Sequence, residues 1–440
     1  MDILKKTKES LDAVSPSFCL AKIHFAVLDF SAGRSGSCCS TWRLPIQASE
    51  IHTHPAALHN SQFNRERWAE MLNGVRHREC QMCWRIEVLG SDLNSERVIR
   101  SLRTISALDD SVQAIRMEQD VVPETLQLNF SSTCNFKCIY CSSARSSSWK
   151  KEIALLGPYD LGQNQWLHLP ETRTPHKLSQ AKLYKAFWKW WPSLRASVRQ
   201  LKIGGGEPLL HKEMYILFER IRADGFLQGN LTIATNLGTS EKVIGNFCRD
   251  LAKIRPFVNS ITIQTSMEAV GEQAEYLRSG LSWELWNRNL RQILDTPEVD
   301  SLCINSVISL LSAPYYEDYL KFAKNIFPTT PKAISLSASL LRAPEPLRLE
   351  FLPRQQFAKF ESAVIFAESV PEFSRDFKEQ LRNILSSVAK TESERAPLLQ
   401  SQLHAYLAEL DLRRNTQATR VFPFLNPNFM ALSLAKKEHP

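Results

Sequence analysis

Residues 126–141 read LQLNFSSTCNFKCIYC, a short strand pattern that runs into a cysteine-rich loop. The first five residues alternate apolar and polar side chains, which predicts a β-strand. The loop carries cysteines in a C-x3-C-x2-C spacing, namely Cys134, Cys138 and Cys141. Thiolates bind the irons of iron–sulfur clusters, and three of them can hold three corners of a 4Fe–4S cluster while the fourth iron stays open. By spacing alone, ordinary thiols or part of a zinc site are the alternatives.

The composition of the 440-residue chain is that of a globular protein, with 43% hydrophobic and 23% charged residues. No apolar run approaches the roughly 20 residues that span a bilayer, and residues 1–16 lack the apolar region of a secretory signal. We therefore expect a cytoplasmic protein, in which cysteines serve metals or catalysis more often than disulfides. The formal net charge of +8 is spread along the chain and does not by itself indicate an anionic partner.

Apolar stretches alternate with helical patterns from residue 126 onward, as in βα units around a parallel sheet. The fold class expected is therefore α/β. Strands are predicted near residues 126–130, 199–203, 230–235, 259–265, 302–309 and 333–339. Functional residues gather at the C-terminal ends of the strands in parallel barrels. Motifs at those positions in this chain are therefore candidates for a site.

Three motifs follow the second, third and fourth predicted strands. The second strand leads into GGGEP, the third ends in TNLG, and the fourth continues as QTSMEAV before EYLRSG. Glycines allow a close approach of backbone, carboxylates suit an ammonium group, and an arginine can clamp a carboxylate in a bidentate way. The candidate residues in these motifs are Gly205, Gly206, Glu207, Asn236, Ser266, Glu268 and Arg278.

Together, these motifs resemble the radical S-adenosylmethionine (SAM) superfamily. Its signature is this cysteine spacing with an aromatic residue before the last cysteine, here Tyr140. The resemblance implies a partial (β/α)6 TIM-like barrel, a 4Fe–4S cluster on the three cysteines, and SAM at the open iron. It also implies that the Gly-Gly-Glu motif engages the methionine amino group of SAM and that Arg278 engages its carboxylate.

The same resemblance places Asn236 near the SAM ribose. It matches Ser266 and Glu268 to an S-x-D pair, with Glu in place of Asp. A turn residue is the alternative for Asn236, and a surface ion pair is the alternative for Arg278. No residue can be assigned as general acid or base.

The first hundred residues hold a second group of cysteines. The sequence predicts a strand over residues 23–27, a turn at 31–37, a helix within 65–74 that ends at Gly74, and a C-x2-C knuckle at 80–83. A hairpin and a knuckle can bring four thiolates together. The cysteines concerned are Cys19, Cys38, Cys39, Cys80 and Cys83.

This block resembles the twitch (half-SPASM) auxiliary-cluster domain of some radical SAM enzymes. The matching pieces are FCLAKIHFAV at 18–27, the Cys-Cys pair, and CQMCWRIEVLGSDLNSER at 80–97. The resemblance implies a second iron–sulfur cluster on Cys19, Cys38, Cys80 and Cys83, with Cys39 as the alternative to Cys38. Four cysteines can equally hold a tetrahedral zinc ion, or they can be ordinary thiols that bind no metal.

The predicted domains are a twitch-like domain at 1–110, a barrel at 120–345 with an insertion at about 142–180, and a C-terminal helical region at 346–440. The insertion exceeds a usual crossover and is predicted to be irregular. The crossover helix after it, within 182–200, is predicted to be interrupted at Pro192.

The activity implied by the resemblance is reductive cleavage of SAM and hydrogen abstraction from an unknown peptide or small molecule. Flavodoxin or ferredoxin would supply the electron. The alternative is a non-catalytic iron–sulfur or zinc protein that binds nucleic acid or a protein partner. The GGEP and EYLRSG motifs after successive strands argue against that alternative.

Overall fold

The computed structural model describes residues 2–38, 43–88, 95–162, 165–168, 179–388 and 396–425. The chain divides into two compact units. Unit 1 comprises Met1–Ser131, Arg173–Ile233 and Ile254–Ser260, and unit 2 comprises Ser132–Thr172, Ala234–Lys253 and Ile261–Pro440. The three domains expected from the sequence stay a prediction.

The described residues form strands of two to nine residues. They are β1 (Phe25–Asp29), β2 (Arg34–Gly36), β3 (Leu44–Pro45), β4 (Thr125–Asn129), β5 (Lys137–Cys138), β6 (Tyr159–Asp160), β7 (Trp166–Leu167), β8 (Gln200–Gly204), β9 (Leu227–Ala234), β10 (Val258–Ser266), β11 (Arg278–Ser279), β12 (Ser301–Ile308) and β13 (Ala333–Leu340).

Helices make up most of the remaining described chain. They are α1 (Asp2–Val14), α2 (Leu20–His24), α3 (Ala48–Thr53), α4 (Gln62–Leu72), α5 (Gln81–Val88), α6 (Glu96–Ser101), α7 (Leu108–Arg116), α8 (Ser147–Leu156), α9 (Gln180–Ser197), α10 (Lys212–Asp224), α11 (Glu241–Ile254), α12 (Gly271–Leu277), α13 (Trp283–Asp295), α14 (Tyr316–Lys324), α15 (Arg354–Ser369), α16 (Arg375–Val388), α17 (Ala396–Arg414) and α18 (Ala418–Val421). No described helix has the length and apolarity needed to cross a membrane.

Unit 1 contains strands in the order β9-β8-β4-β1-β2-β3. The pairs from β9 to β1 are parallel, and β1-β2 and β2-β3 are antiparallel. Leu126 and Leu128 of β4 lie beside Leu201 and Ile203 of β8, and all four side chains are buried. The alternating pattern of these strands therefore buries one apolar face.

Unit 2 contains the parallel strands β12 and β13 and the part of β10 from Ile261 onward. With β4, β8 and β9 of unit 1, they are the six strands predicted from the sequence, and each begins and ends within three residues of the prediction. The α/β class with a mostly parallel sheet is therefore confirmed.

Two local predictions were wrong. The strand expected over residues 23–27 begins at Phe25, because residues 20–24 form helix α2. Every residue of α2 is buried, so alternation of apolar side chains could not distinguish the two conformations. Helix α9 continues through Pro192, whose side chain is exposed, because the buried faces of residues such as Phe187, Trp191 and Leu194 outweigh a proline cost of about 3 kcal/mol.

Candidate functional site

The cysteine loop of unit 2 pairs with a segment 140 residues away. Strand β5 runs antiparallel to β11, so that Cys138 lies opposite Arg278. The backbone N–H of Ile139 donates to the carbonyl of Leu277 at 2.9 Å. The structure therefore brings the CNFKCIYC and EYLRSG motifs together through backbone hydrogen bonds.

Residues at the start of α8 hold the other side of the loop. The hydroxyl of Ser148 donates to the carbonyl of Cys134 at 2.7 Å, and that of Ser146 donates to the carbonyl of Phe136 at 2.7 Å. The indole N–H of Trp149 donates to the carbonyl of Cys138 at 2.9 Å. This helix lies within the insertion that was predicted to be irregular, although Ser146 caps it and was a usable signal.

Helix α17 supports the same loop from the C-terminal part of the chain. The hydroxyl of Tyr406 donates to the carbonyl of Ile139 at 2.6 Å, and the guanidinium of Arg414 donates to the carbonyl of Lys137 at 2.9 Å. Consecutive loop carbonyls thus have partners, which fixes the backbone that carries the thiols. No local pattern in the sequence could have predicted these contacts.

The carboxylate of Glu152 on α8 links the cysteine loop to α17 through hydrogen bonds and ion pairs. It accepts hydrogen bonds from Lys137, from the hydroxyl of Tyr159 at 2.5 Å and from Arg414 at 3.2 Å. Burial favours a raised pKa for Glu152, but the bonds from Lys137, Tyr159 and Arg414 prevail and lower its pKa. The carboxylate is therefore charged at neutral pH and links the loop, α8 and α17.

The three thiols of the loop are half-buried and lie close enough to affect one another. Burial raises the pKa of Cys138 to about 12; Arg278 opposes this rise, and the neighbouring Cys141 and Cys134 add to it. Burial also raises the pKa of Cys141. Thiols that resist ionisation in the protein alone become thiolates when a bound cation supplies positive charge.

Tyr140, Glu268 and Arg278 form a buried triad beside the loop. Glu268 is fully buried, and its two carboxylate oxygens accept from the Tyr140 hydroxyl at 2.6 Å and from the Arg278 guanidinium. Burial by itself would lower the pKa of Arg278, but Glu268 and Tyr140 raise this pKa by more than burial lowers it. The guanidinium therefore stays charged. The structure thus joins three residues that were assigned separately to SAM, and those SAM contacts stay predictions.

Asn236 connects the turn after β9 to the cysteine loop. Its side chain donates to the Asn135 side chain at 2.9 Å and accepts from the Gly238 N–H at 2.8 Å. Its amide nitrogen lies 3.9 Å from the sulfur of Cys134. Ser266 ends β10 and lies opposite Asn305 of β12 in the sheet register. Both predicted residues are half-buried in unit 2.

The Gly-Gly-Glu motif follows β8 in unit 1. Gly205 has a φ of +88°, and a Cβ there would lie 2.9 Å from the carbonyl oxygen of Ser131. Only glycine fits this turn without strain. Glu207 is fully buried, and its carboxylate accepts from the backbone N–H of Leu209 at 3.1 Å. Gly206 is half-buried, and Gly205 is exposed.

Residues 128–295 match the family model of the radical SAM superfamily. This segment is a radical SAM domain. The match includes the three-cysteine loop, the Gly-Gly-Glu motif and the buried triad, and it confirms the predicted radical SAM superfamily and fold, whereas the twitch-like domain stays a prediction.

No curated protein matches the chain. Among solved structures, TYW1 with a lysine–pyruvate adduct bound shares 16% identity, with 57% of this chain and 77% of that chain covered and a TM-score of 0.31. Streptococcus suis SuiB bound to precursor peptide SuiA shares 14% identity, with 81% and 72% covered and a TM-score of 0.37. At these TM-scores, the assignment rests on the family match.

The donor set of the radical SAM loop fits an iron–sulfur cluster. Among the residues that the structure describes, no three His, Cys, Asp or Glu side chains are arranged to hold a metal ion. A 4Fe–4S cluster binds each cysteine to a different iron, so three thiols on one loop suit three of its corners.

A second group of thiols lies outside the radical SAM segment, in unit 1. The predicted auxiliary ligands, Cys19, Cys38, Cys80 and Cys83, all line one cavity of about 20 Å³. Cys83 lies on helix α5, so the knuckle expected at this position is replaced by the first turn of a helix. Cys39, the alternative ligand, lies outside the described residues.

Three of these thiols, Cys19, Cys80 and Cys83, also affect one another electrostatically. Burial raises the pKa of Cys83 to about 12, and the nearby Cys19 and Cys80 add to the rise. Burial raises the pKa of Cys19, while hydrogen bonds from the Lys22 backbone and the Ser101 side chain oppose it. Hydrogen bonds to cysteine sulfur are a usual feature of protein-bound clusters. Four cysteines around one cavity are the donor set that the predicted auxiliary cluster needs, and that cluster stays a prediction.

Proposed function

We propose that this radical SAM enzyme cleaves SAM reductively at a 4Fe–4S cluster held by Cys134, Cys138 and Cys141, and abstracts a hydrogen atom from its substrate. The observation that carries the proposal is the cysteine loop. Its backbone pairs with β11, its carbonyls accept hydrogen bonds from α8 and α17, and its three thiols are grouped on this backbone. When bound, the cluster and SAM supply a 5′-deoxyadenosyl radical.

The chain's own residues bind and orient these groups. In this proposal, Gly205, Gly206 and Glu207 bind the methionine end of SAM, and Asn236 lies beside the cysteine loop at the ribose side. The buried triad fixes Tyr140 at the position before the last cysteine. A loop held in this way loses little conformational entropy on binding its cofactors.

We further propose an auxiliary iron–sulfur cluster on Cys19, Cys38, Cys80 and Cys83. Its support is the single cavity that all four thiols line. We propose the reducing cytosol as the enzyme's compartment, where cysteines serve metals or catalysis more often than disulfides. An external reductant such as flavodoxin or ferredoxin would reduce the radical SAM cluster.

The substrate is proposed to carry uncharged hydrogen-bonding groups, as peptides and polar metabolites do. The half-buried faces of β10 and β12 in unit 2 present such side chains in register. The pairs are Thr262 with Ser301, Gln264 with Cys303, and Ser266 with Asn305. Side chains of this kind recognise amides and hydroxyls.

The deciding experiment starts with anaerobic purification of the full-length protein and a count of iron and sulfide. SAM cleavage to 5′-deoxyadenosine is then measured with a chemical reductant. The variant Cys134→Ala/Cys138→Ala/Cys141→Ala is expected to lose cleavage and part of the iron, and Cys80→Ala/Cys83→Ala to lose only the remaining iron.

Cys248→Ala is the matched control, because Cys248 lies on α11 and bonds to Thr296. This variant is expected to keep its iron and its cleavage rate. Failure of the cluster-loaded wild type to cleave SAM would overturn the proposed activity and favour a non-catalytic metal protein. An iron count unchanged by Cys80→Ala/Cys83→Ala would overturn the auxiliary cluster alone.

A further inference from the structure

Two buried cations border the four-cysteine cavity of unit 1. Lys22 is 1% exposed and Arg97 is 2% exposed, and both line the cavity. Removing a charge from water is costly unless partners compensate for it. We therefore asked which groups compensate each of these two buried charges.

The guanidinium of Arg97 donates its hydrogen bonds to carboxylates and a carbonyl, and only the backbone N–H of this residue bonds to a thiol, that of Cys83. Its guanidinium contacts Glu87 at 2.9 and 3.1 Å, Asp12 at 2.9 Å, and the carbonyl of Phe18 at 3.0 Å. These bonds tie α1, α5 and α6 together. The position of Arg97 is explained by this network.

Lys22 differs because its ammonium faces a sulfur. It forms an ion pair with Glu79, and its Nζ lies 3.8 Å from the sulfur of Cys80, within donating distance. Glu79 is itself nearly buried and precedes Cys80 in the chain. The ion pair with Glu79 does not explain why the Lys22 ammonium also lies beside a thiol. The contact with Cys80 is therefore the one that links Lys22 to the four-cysteine cavity.

We propose that Lys22 is a positioning residue that raises the reduction potential of the auxiliary cluster, a statement that rests on the proposed function of the four cysteines. Reduction adds one electron to the cluster. No bond forms or breaks. A positive charge close to a ligand sulfur stabilises the more negative reduced state, and burial strengthens the interaction. Glu79 partly offsets the effect because its charge has the opposite sign.

A raised potential suits an electron acceptor. A carbon radical left on the substrate after hydrogen abstraction is a strong one-electron donor, and a cluster of higher potential takes that electron more readily. The auxiliary centre would therefore serve substrate oxidation, and Lys22 would favour that step.

The test is a redox titration of the auxiliary cluster, followed by electron paramagnetic resonance, in full-length protein. The background is Cys134→Ala/Cys138→Ala/Cys141→Ala, which leaves the auxiliary cluster as the centre under study. Lys22→Met is expected to lower the midpoint potential and Glu79→Gln to raise it. Lys22→Met/Glu79→Gln should fall between the two single variants, and Lys22→Arg should restore a value near wild type.

Arg65→Met is the control, because it removes a cation from a partly exposed ion pair with Asp120 in the same unit. It is expected to leave the potential unchanged. Equal potentials for Lys22→Met, Glu79→Gln and wild type would overturn the proposal. If Lys22→Met fails to fold, the rise expected for Glu79→Gln still decides it. Absence of iron from the background variant would overturn the auxiliary cluster itself, a distinct outcome.

Discussion

Glu268 is the residue on which the buried triad depends. Its side chain is fully buried and carries the charge that compensates Arg278, whose side chain is 6% exposed. Removing one member of a buried pair leaves the other charge without compensation, at a cost of about 3–5 kcal/mol. Losing a single hydrogen bond to a charged group costs about 1.5–3 kcal/mol. The two kinds of substitution can therefore be told apart.

We expect Glu268→Gln to lower the free energy of unfolding by about 3–5 kcal/mol, and Tyr140→Phe by about 1.5–3 kcal/mol. Urea unfolding of the anaerobic protein measures both. Glu272→Gln is the control because its ion pair with Arg420 is largely exposed, and we expect little change from it. A smaller loss for Glu268→Gln than for Tyr140→Phe would contradict the role of Glu268 as the charge partner of Arg278.

Gly238 shows a second constraint on the cysteine loop. A Cβ at this position would lie 2.0 Å from the ring of Phe136, which is buried within the loop. Gly238→Ala should therefore displace Phe136 and cost about 1–3 kcal/mol by overpacking. We expect lower stability together with a lower iron content after reconstitution.

Gly245→Ala is the matched control for this prediction. Gly245 lies on helix α11, and a Cβ there meets its nearest atom at 3.6 Å, an ordinary contact. The substitution is expected to stabilise the helix by about 0.5–1 kcal/mol and to leave the iron content unchanged. Equal iron content in the two variants would show that Phe136 does not set the loop geometry.

Helix α17 supports the cysteine loop through contacts that no local sequence pattern predicts. Its residue Tyr406 bonds to a carbonyl of the cysteine loop from a position 267 residues later in the chain. Tyr406→Phe leaves the carbonyl of Ile139 without this partner, which costs about 1–3 kcal/mol for a buried group. We expect a chelator to remove iron faster from this variant than from wild type.

The control for Tyr406→Phe lies on the same helix. Leu412 is 79% exposed, so Leu412→Ala removes no buried contact and is expected to lose iron at the wild-type rate. Arg414→Met should behave like Tyr406→Phe, because Arg414 also bonds to a loop carbonyl. Wild-type iron loss in both variants would show that α17 does not support the loop.

The elements that could be predicted from the sequence are those with a local signal. Strands β4, β8, β9, β10, β12 and β13 carry apolar alternation or apolar runs, and the three-cysteine motif is a fixed spacing. Helix α2 was missed because all its residues are buried and alternation there carries no information. Pro192 was given too much weight because a local rule cannot include the packing of α9.

At the site, the sequence could indicate individual functional residues but not the residues to which they bond. Sequence alone named the three loop cysteines, Glu268 and Arg278, but not the bonds among Tyr140, Glu268 and Arg278. A hydrogen bond between residues 128 positions apart leaves no local pattern. The grouping of Cys19, Cys38, Cys80 and Cys83 in one cavity was expected from resemblance, whereas the buried Lys22 beside Cys80 had no signal in the sequence.

Across the whole molecule, buried histidines make stability depend on pH. Burial lowers the pKa of His24 and of His59 to about 4, and it also lowers the pKa of His77 and of His168. His59 is 1% exposed and contacts the carbonyl of Ile23 at 2.7 Å. These side chains are neutral in the folded protein at pH 7.

The sign of the effect follows from proton binding. As the pH falls below about 6.5, the unfolded chain takes up protons that the folded chain accepts only near pH 4, so stability falls over this window. At pH 5, His24 and His59 each lower the free energy of unfolding by about 2 kcal/mol relative to pH 7.

The variant His59→Gln should therefore lose about 2 kcal/mol less unfolding free energy than wild type between pH 7 and pH 5, whatever its stability at pH 7. Urea unfolding at both pH values measures this difference, and His52→Gln, at an exposed position, should retain the wild-type dependence. An identical pH dependence in His59→Gln and wild type would mean that His59 accepts its proton in the folded state as readily as in the unfolded chain, contrary to its burial.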